Sequence, residues 1–374
     1  MPPLTVLIKP ASSDCDLRCR YCFYRDEAER RQTKSFGRMT QATLENVIRR
    51  SLAYAEYTCT FCFQGGEPTL AGLDFFRSYI ALTDKYAKPG VQISHAIQTN
   101  GMILTAEWAK FFQENSFLVG LSLDGPAHIH NRGRVTMSGN GSFERVWQAK
   151  KLLEDYNVDF NILTVVTQQS AKHVEEIYRF FVDNHLLFQQ YIPCLAPLDA
   201  EGKGEFALSA EEYGNFLCRL FDMWYADMVS GKPVYIRYFE NLAGMLMGYP
   251  PENCGMCGKC ANQYVVEADG SVYPCDFYVL DPYYLGNFNQ NGIASINCRE
   301  QEIGFVASSM VQEAECLRCK YYSLCRGGCR RDRQRANMAT LGKSCYCAAY
   351  QIFLPHAIPK LTVLIQKLQG ERLT

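Results

Sequence analysis

The sequence predicts an α/β fold with a parallel sheet, followed by a second, cysteine-rich domain. Two observations carry that expectation. Up to about residue 195, short apolar runs of strand length alternate with longer runs of helical period, as parallel strands joined by crossover helices would. From Cys254 onward the composition shifts to cysteine, glycine and turn residues. The boundary is placed at residues 1–235 for the first domain and 236–374 for the second.

The strand-length runs are 4–9, 58–63, 92–98, 117–123, 159–166 and 187–193. Between them, 40–55 reads as a helix with Leu44, Val47, Ile48 and Leu52 on one apolar face. Thr105 and Ser142 stand where N-caps are expected before helices at 106–115 and 143–156. Residues 209–230 read as a long amphipathic helix and 234–240 as a further strand. A sixfold βα series suits either a partial barrel or a doubly wound sheet. Both gather ligands at the C-terminal ends of the strands. The segments at those ends are the Cys15 loop, Gln64-Gly65-Gly66-Glu67-Pro68, Gln98-Thr99-Asn100-Gly101 and Ser122-Leu123-Asp124-Gly125, and they are expected to share one mouth.

With 38 Lys+Arg against 39 Asp+Glu, the chain offers no global field for nucleic acid or an anionic membrane surface. The first residues lack a basic stretch followed by an apolar one, and no apolar run reaches membrane-spanning length. A cytoplasmic location is therefore expected. Eighteen cysteines in such a chain call for metal or cluster chemistry, because a reducing compartment disfavours disulfides. Isolated Cys194, Cys218 and Cys298 read instead as small buried apolar residues.

Cys15-x3-Cys19-x2-Cys22 sets three thiols within one loop, with Tyr21, Phe23 and Tyr24 around them. A 4Fe-4S cluster ordinarily takes four thiolates, so three leave one iron open to a small molecule. Structural zinc sites are usually closed by a fourth Cys or His and use pairs spaced by two to four residues. This loop resembles the signature of the radical S-adenosylmethionine (SAM) superfamily. The resemblance implies a partial (β/α)6 TIM-type barrel and SAM held on the open iron, cleaved by electron transfer to a 5'-deoxyadenosyl radical. Gly65-Gly66-Glu67-Pro68 resembles that family's GGEP segment, implying that Gly66 and Glu67 approach the SAM amino group. By position, Tyr24, Ser122, Arg134 and Leu195 are implied to line the SAM pocket, with Arg134 facing the SAM carboxylate.

Cys260-x9-Gly270-x4-Cys275, then Cys316-x2-Cys319-x5-Cys325-x3-Cys329 and Cys347, resembles the SPASM pattern, which implies two auxiliary 4Fe-4S clusters. The resemblance assigns Cys254, Cys260, Cys275 and Cys329 to one and Cys316, Cys319, Cys325 and Cys347 to the other. Cys257 and Cys345 stand close enough in sequence to compete with Cys254 and Cys347. The basic run 325–333 reads as charge balance beside thiolates rather than a nucleic-acid patch.

Residues 7–13, 63–70 and Val272-Tyr273-Pro274-Cys275-Asp276-Phe277-Tyr278 are similar to the anaerobic sulfatase maturases. That similarity implies oxidation of a Cys or Ser side chain, within Cys/Ser-x-Pro-x-Arg of a sulfatase, to Cα-formylglycine. Asp276 is then the expected base, since it adjoins a ligand cysteine in a desolvated place. The implied partners are a sulfatase polypeptide and an electron donor such as a flavodoxin or ferredoxin. The competing reading is another SPASM peptide maturase that forms thioether or other crosslinks in a ribosomal peptide.

Overall fold

The computed structural model describes residues 4–198, 205–334 and 341–371. They form two compact units interleaved along the chain. The first comprises residues up to Leu123, His130–Asn161 and Ala261–Val306; the second comprises Asp124–Ile129, Ile162–Cys260 and the chain from Ala307.

In the first unit, β1 (Leu4–Ile8), β2 (Thr58–Phe63), β3 (Gln92–Thr99) and β4 (Phe117–Ser122) pair in parallel, in sequence order. Their boundaries fall within a residue or two of the apolar runs. On the other side of β1 lies β8 (Val265–Val266), also parallel, followed outward by antiparallel β9 (Ser271–Tyr273) and β10 (Gly286–Asn287). The register Leu7↔Val265 and Ile8↔Val266 places the residues that follow, Lys9 and Glu267, side by side. The sheet is apolar because it is covered by helices. Val6, Ile8, Phe61, Phe63, Val119 and Leu121 are fully buried.

Helices α1 (Phe23–Glu29), α2 (Gln41–Tyr54), α3 (Leu73–Tyr86), α4 (Ala106–Glu114), α5 (Ala127–Gly133) and α6 (Phe143–Asp155) occupy the connections. α2 buries Leu44, Val47, Ile48 and Leu52, the stripe that its sequence period indicates. Thr105 and Ser142 do occupy N-cap positions, but neither hydroxyl caps its helix. Ser142 instead donates to the Arg134 carbonyl. Thr40 supplies a cap that the sequence reading left out, accepting the Thr43 N–H.

In the second unit, β5 (Phe160–Val166), β6 (Phe188–Pro193) and β7 (Tyr235–Ile236) pair in parallel. Short α7 (Gln168–Ala171), then α8 (Val174–Asp183) and α9 (Ala210–Val229), join them. A reciprocal capping box at Ser209 and Glu212 starts α9. The helix Cys347–Glu371 approaches α9 so closely that a Cβ at Gly214 would lie 3.0 Å from the Ala349 Cα.

The expected strand at 234–240 is corrected. Only Tyr235–Ile236 is strand, and the chain turns into α10 (Arg237–Leu246). Phe239 and Leu242 are spaced for a helix and bury together on one face, so the 3.6 period prevails. Cys298 is also corrected. It is exposed, whereas Cys194 is buried and Cys218 half-buried. No helix among the described residues is long and apolar enough to cross a membrane.

Candidate active site

The loop after β1 is held by the loop after β2. The Gly66 N–H donates to the Ser12 carbonyl at 2.9 Å and the Glu67 N–H to the Asp14 carbonyl at 2.7 Å. A Cβ at Gly66 would fall 2.0 Å from the Asp14 carbonyl oxygen, so backbone this close admits only glycine. Gly65, at φ +118°, wraps the Lys9 side chain. These contacts seat Cys15, Cys19 and Cys22 in one partly buried loop. The Leu17 N–H and Asn100 Nδ2 lie 3.4 and 3.6 Å from the Cys15 sulfur, and Asn100 also binds Asp16 at 2.7 Å. Burial, with Glu67 next in effect, pushes the Cys15 thiol above the usual range. A buried thiol so placed ionises when a metal takes the proton's place. Three thiols in one loop fit a cluster with one iron open.

Glu67 is fully buried and its carboxylate takes four donors. Oε1 accepts from the Thr69 N–H (3.0 Å), the Thr69 hydroxyl (2.5 Å) and the Thr99 hydroxyl (2.8 Å), and Oε2 accepts from the Asn100 N–H (2.8 Å). Burial still raises it to about 7. The side chain buckles the β2 loop to the end of β3, while the Gly65-Gly66 backbone borders the cysteine loop.

Asp276 follows Cys275 just beyond β9 and is buried. The Tyr24 hydroxyl and Gln64 Nε2 both donate to its Oδ2 at 2.7 Å. Its Oδ1 is buried and has no hydrogen-bond partner among the described residues. A carboxylate oxygen left without a donor inside a protein costs free energy unless something else uses it.

A buried charge cluster adjoins this residue. Lys9 Nζ lies 3.0 Å from Glu267 and 3.6 Å from Glu27, and over the Tyr24 ring at 5.0 Å. Arg31 binds Glu267 as well, and the Val279 N–H donates to Glu27 at 2.6 Å. Two cations thus face three carboxylates, Glu27, Glu267 and Asp276. Against the cost of burial, Lys9 and Arg31 hold Glu267 down at about 2. Burial pushes Glu27 up to about 8, with Lys9 opposing. Burial also raises Asp276, and Lys9, Tyr24 and Gln64 restrain the rise.

Of the later cysteines, Cys275 lies in the first unit, and those of the second unit fall into two groups. Burial pushes the Cys329 thiol up, and Cys254 and Cys260 are among the charges acting on it. Gly255 borders Cys329, since a Cβ there would lie 3.6 Å from the Cys329 Cβ. Cys257 is turned elsewhere, its sulfur 3.5 Å from the Asn253 carbonyl and 3.7 Å from that of Pro251. Burial likewise pushes Cys325 to about 11, with Cys347, Cys316 and Cys319 acting on it together. Burial pushes the Cys345 thiol up to about 12, with Asp332 adding to the rise and Arg331 opposing it. Four converging thiols fit a closed cluster. Three arginines of the basic run, Arg330, Arg331 and Arg333, are turned inward. Arg333 binds the Ser309, Gly342 and Val311 carbonyls, Arg330 binds Ser308, and Arg331 binds the Ala196 carbonyl.

Of the other expected SAM contacts, Ser122 is buried at the end of β4. Arg134 is buried with its guanidinium 5.6 Å from the Tyr21 ring centre. Both belong with Tyr24, Gly66 and Glu67 to the first unit, whereas half-buried Leu195 belongs to the second. The sequence reading assigned no role to Gln64, Lys9, Glu27, Arg31 or Glu267. The available signal was a charge closing each of two apolar strands, Leu7-Ile8-Lys9 and Val265-Val266-Glu267.

Comparison with known proteins fits this arrangement. A family model described as the radical SAM superfamily matches residues 10–181, and one described as an iron-sulfur cluster-binding domain, SPASM, matches residues 254–330. Together with the cysteine sets they define a radical SAM enzyme with a SPASM domain.

Similarity to single proteins is closer still. The chain is 45% identical to the cysteine-type anaerobic sulfatase-maturating enzyme of Clostridium perfringens, over 96% of this chain and 98% of that one. It is 32% identical to the serine-type enzyme of Bacteroides thetaiotaomicron, over 99% of this chain and 93% of that one. The solved structure of native anSMEcpe with bound AdoMet and Kp18Cys peptide matches with a TM-score of 0.93 at 44% identity, over 98% of this chain and all of that one. The chain belongs to the family of anaerobic sulfatase-maturating enzymes.

Proposed function

We propose that this enzyme oxidises a cysteine side chain of a sulfatase polypeptide, in a Cys-x-Pro-x-Arg context, to Cα-formylglycine. The observation that carries the reading is the Asp276 carboxylate, with two donors on Oδ2 and none on the buried Oδ1. When bound, SAM and three 4Fe-4S clusters supply a hydrogen-abstracting radical and a path for electrons. Cys15, Cys19 and Cys22 would hold the SAM-binding cluster. Cys254, Cys260, Cys275 and Cys329 would hold one auxiliary cluster, and Cys316, Cys319, Cys325 and Cys347 the other. Tyr24, Gly66, Ser122, Arg134 and Leu195, with Glu67 bracing the loop, would shape the SAM pocket. Residues 1–235 would carry SAM binding and 236–374 the auxiliary clusters.

The chain's own part is proton transfer and placement. Tyr24 and Gln64 fix the Asp276 plane, and Oδ1 accepts the substrate thiol proton. Loss of one Cβ hydrogen atom, that proton and one electron leaves a carbon–sulfur double bond. Water converts it to the aldehyde and releases hydrogen sulfide.

A cysteine substrate is favoured by the higher identity to the cysteine-type relative. An acidic electron carrier such as a flavodoxin or ferredoxin would suit the open groove of about 460 Å³ lined by Tyr249, Lys320, Tyr321 and Arg326. Its lining segment runs between Cys319 and Cys325. The reducing cytoplasm suits a chain with eighteen cysteines, eleven of them assigned to clusters.

The test is anaerobic incubation of the reconstituted enzyme with SAM, a reductant and a Cys-x-Pro-x-Arg peptide, read by mass spectrometry. Formylglycine together with 5'-deoxyadenosine is the expected result. SAM cleavage with an unchanged peptide would overturn the substrate assignment.

A further inference from the structure

Outside the cysteine sets and the Asp276 cluster, the described residues bring together His128, His173 and Glu176, whose donor atoms all lie within 4.8 Å of one another. His128 stands near the start of α5, and His173 is the N-cap residue of α8. Glu176 follows three residues later, on the same side of that helix as His173. Its carboxylate lies between the two imidazoles, with Oε1 3.3 Å from His128 Nε2 and Oε2 3.3 Å from His173 Nδ1. Donor atoms bound to one zinc ion at about 2.1 Å stand roughly 3.4 Å apart around a tetrahedron. The rings meet edge to face, with centroids 6.1 Å apart, so neither covers the other's nitrogens.

The backbone beneath the three ligands is fixed on both sides. Gly125 has φ +116°, and a Cβ there would lie 3.0 Å from Ile177 Cγ1, so the segment leading to His128 runs directly against α8. Asp124 Oδ1 accepts the Val165 N–H at 3.0 Å and anchors that segment to β5. On the other side, Thr167 and Ser170 form a capping box, and the His173 N–H donates to the Ser170 carbonyl at 3.0 Å. The three side chains are 54, 37 and 46% exposed, which leaves coordination positions open to water. Two imidazoles and one carboxylate form a donor set suited to divalent zinc, nickel or copper.

We propose that His128, His173 and Glu176 bind a divalent metal of the zinc class, tying the segment after β4 to the start of α8. The proposal does not rest on the redox reading above. Its test is equilibrium dialysis of the reconstituted holoenzyme against low-micromolar zinc, with zinc and iron counted by mass spectrometry. Wild type is expected to hold one more zinc per chain than a His128→Gln, His173→Gln double variant, at equal iron. Glu176→Gln is expected to weaken that zinc at least about tenfold, the loss typical of a disturbed ligand environment. Equal zinc in wild type and double variant overturns the proposal, whether neither binds or both bind zinc at thiols.

Discussion

Asp276→Asn isolates the proton-accepting role because it changes charge and almost nothing else. The asparagine oxygen can still accept from Tyr24 and Gln64, so the side-chain plane is retained. What replaces Oδ1 is an amide that donates and cannot take a proton. A positioned general base contributes about 10²- to 10⁴-fold, so formylglycine formation should fall by that factor. Stability should hold, since the substitution removes one of three carboxylates facing two cations, Lys9 and Arg31. The assay is single-turnover mass spectrometry of the peptide beside chromatographic measurement of 5'-deoxyadenosine, with iron content as the control for neighbouring Cys275. The expected signature is continued SAM cleavage uncoupled from product. Formylglycine formed at close to the wild-type rate would refute Asp276 as the base, and loss of iron would mean that the residue holds the cluster loop instead.

Gly66→Ala should lose the iron of the first cluster while keeping that of the auxiliary ones, because its Cβ would fall 2.0 Å from the Asp14 carbonyl oxygen; iron analysis and electron paramagnetic resonance check it. Cys254→Ser should lower iron content and Cys257→Ser should not, given that the Cys257 thiol faces the Asn253 and Pro251 carbonyls. The two glutamates beside Lys9 should act on pH stability in opposite senses. Glu27, raised to about 8 from 4.5, contributes stability that is present below 4.5 and lost as pH rises through 8, so Glu27→Gln should flatten the fall in thermal midpoint over that range. Glu267, held at about 2, contributes stability that is present above 4.5 and lost as pH falls through 2. Parallel melting curves for wild type and Glu27→Gln between 4.5 and 8 would contradict the Glu27 assignment.

What was legible in the sequence is what local chemistry decides. The strands β1 to β6 stand out because each is a short apolar run bounded by polar residues and followed by helical periodicity, and their ends deliver the cysteine loop and Gly65-Gly66 to one place. The three-cysteine spacing is equally local. The 234–240 segment reads as a strand, whereas packing of Phe239 and Leu242 on one face makes most of it a helix. Ser142 occupies a capping position, yet its hydroxyl is drawn to the Arg134 carbonyl by packing that no local pattern encodes.

The charge cluster beside Asp276 was illegible for a different reason. Lys9 and Glu267 are separated by most of the chain and meet only because β1 pairs with β8 in the register Ile8↔Val266. That pairing also brings in the segment after β9, and with it Asp276, beside Tyr24 from α1 and Gln64 from the end of β2. Lys9 therefore has two effects at once. It compensates Glu267, as a buried ion needs, and it tempers the rise that burial imposes on Asp276. A cluster with equal numbers of cations and carboxylates would leave every acid ionised and tightly paired. A shortage of one cation leaves proton affinity within the cluster, and the buried Oδ1 of Asp276, with no donor of its own, is where the proposed reaction would place the substrate thiol proton.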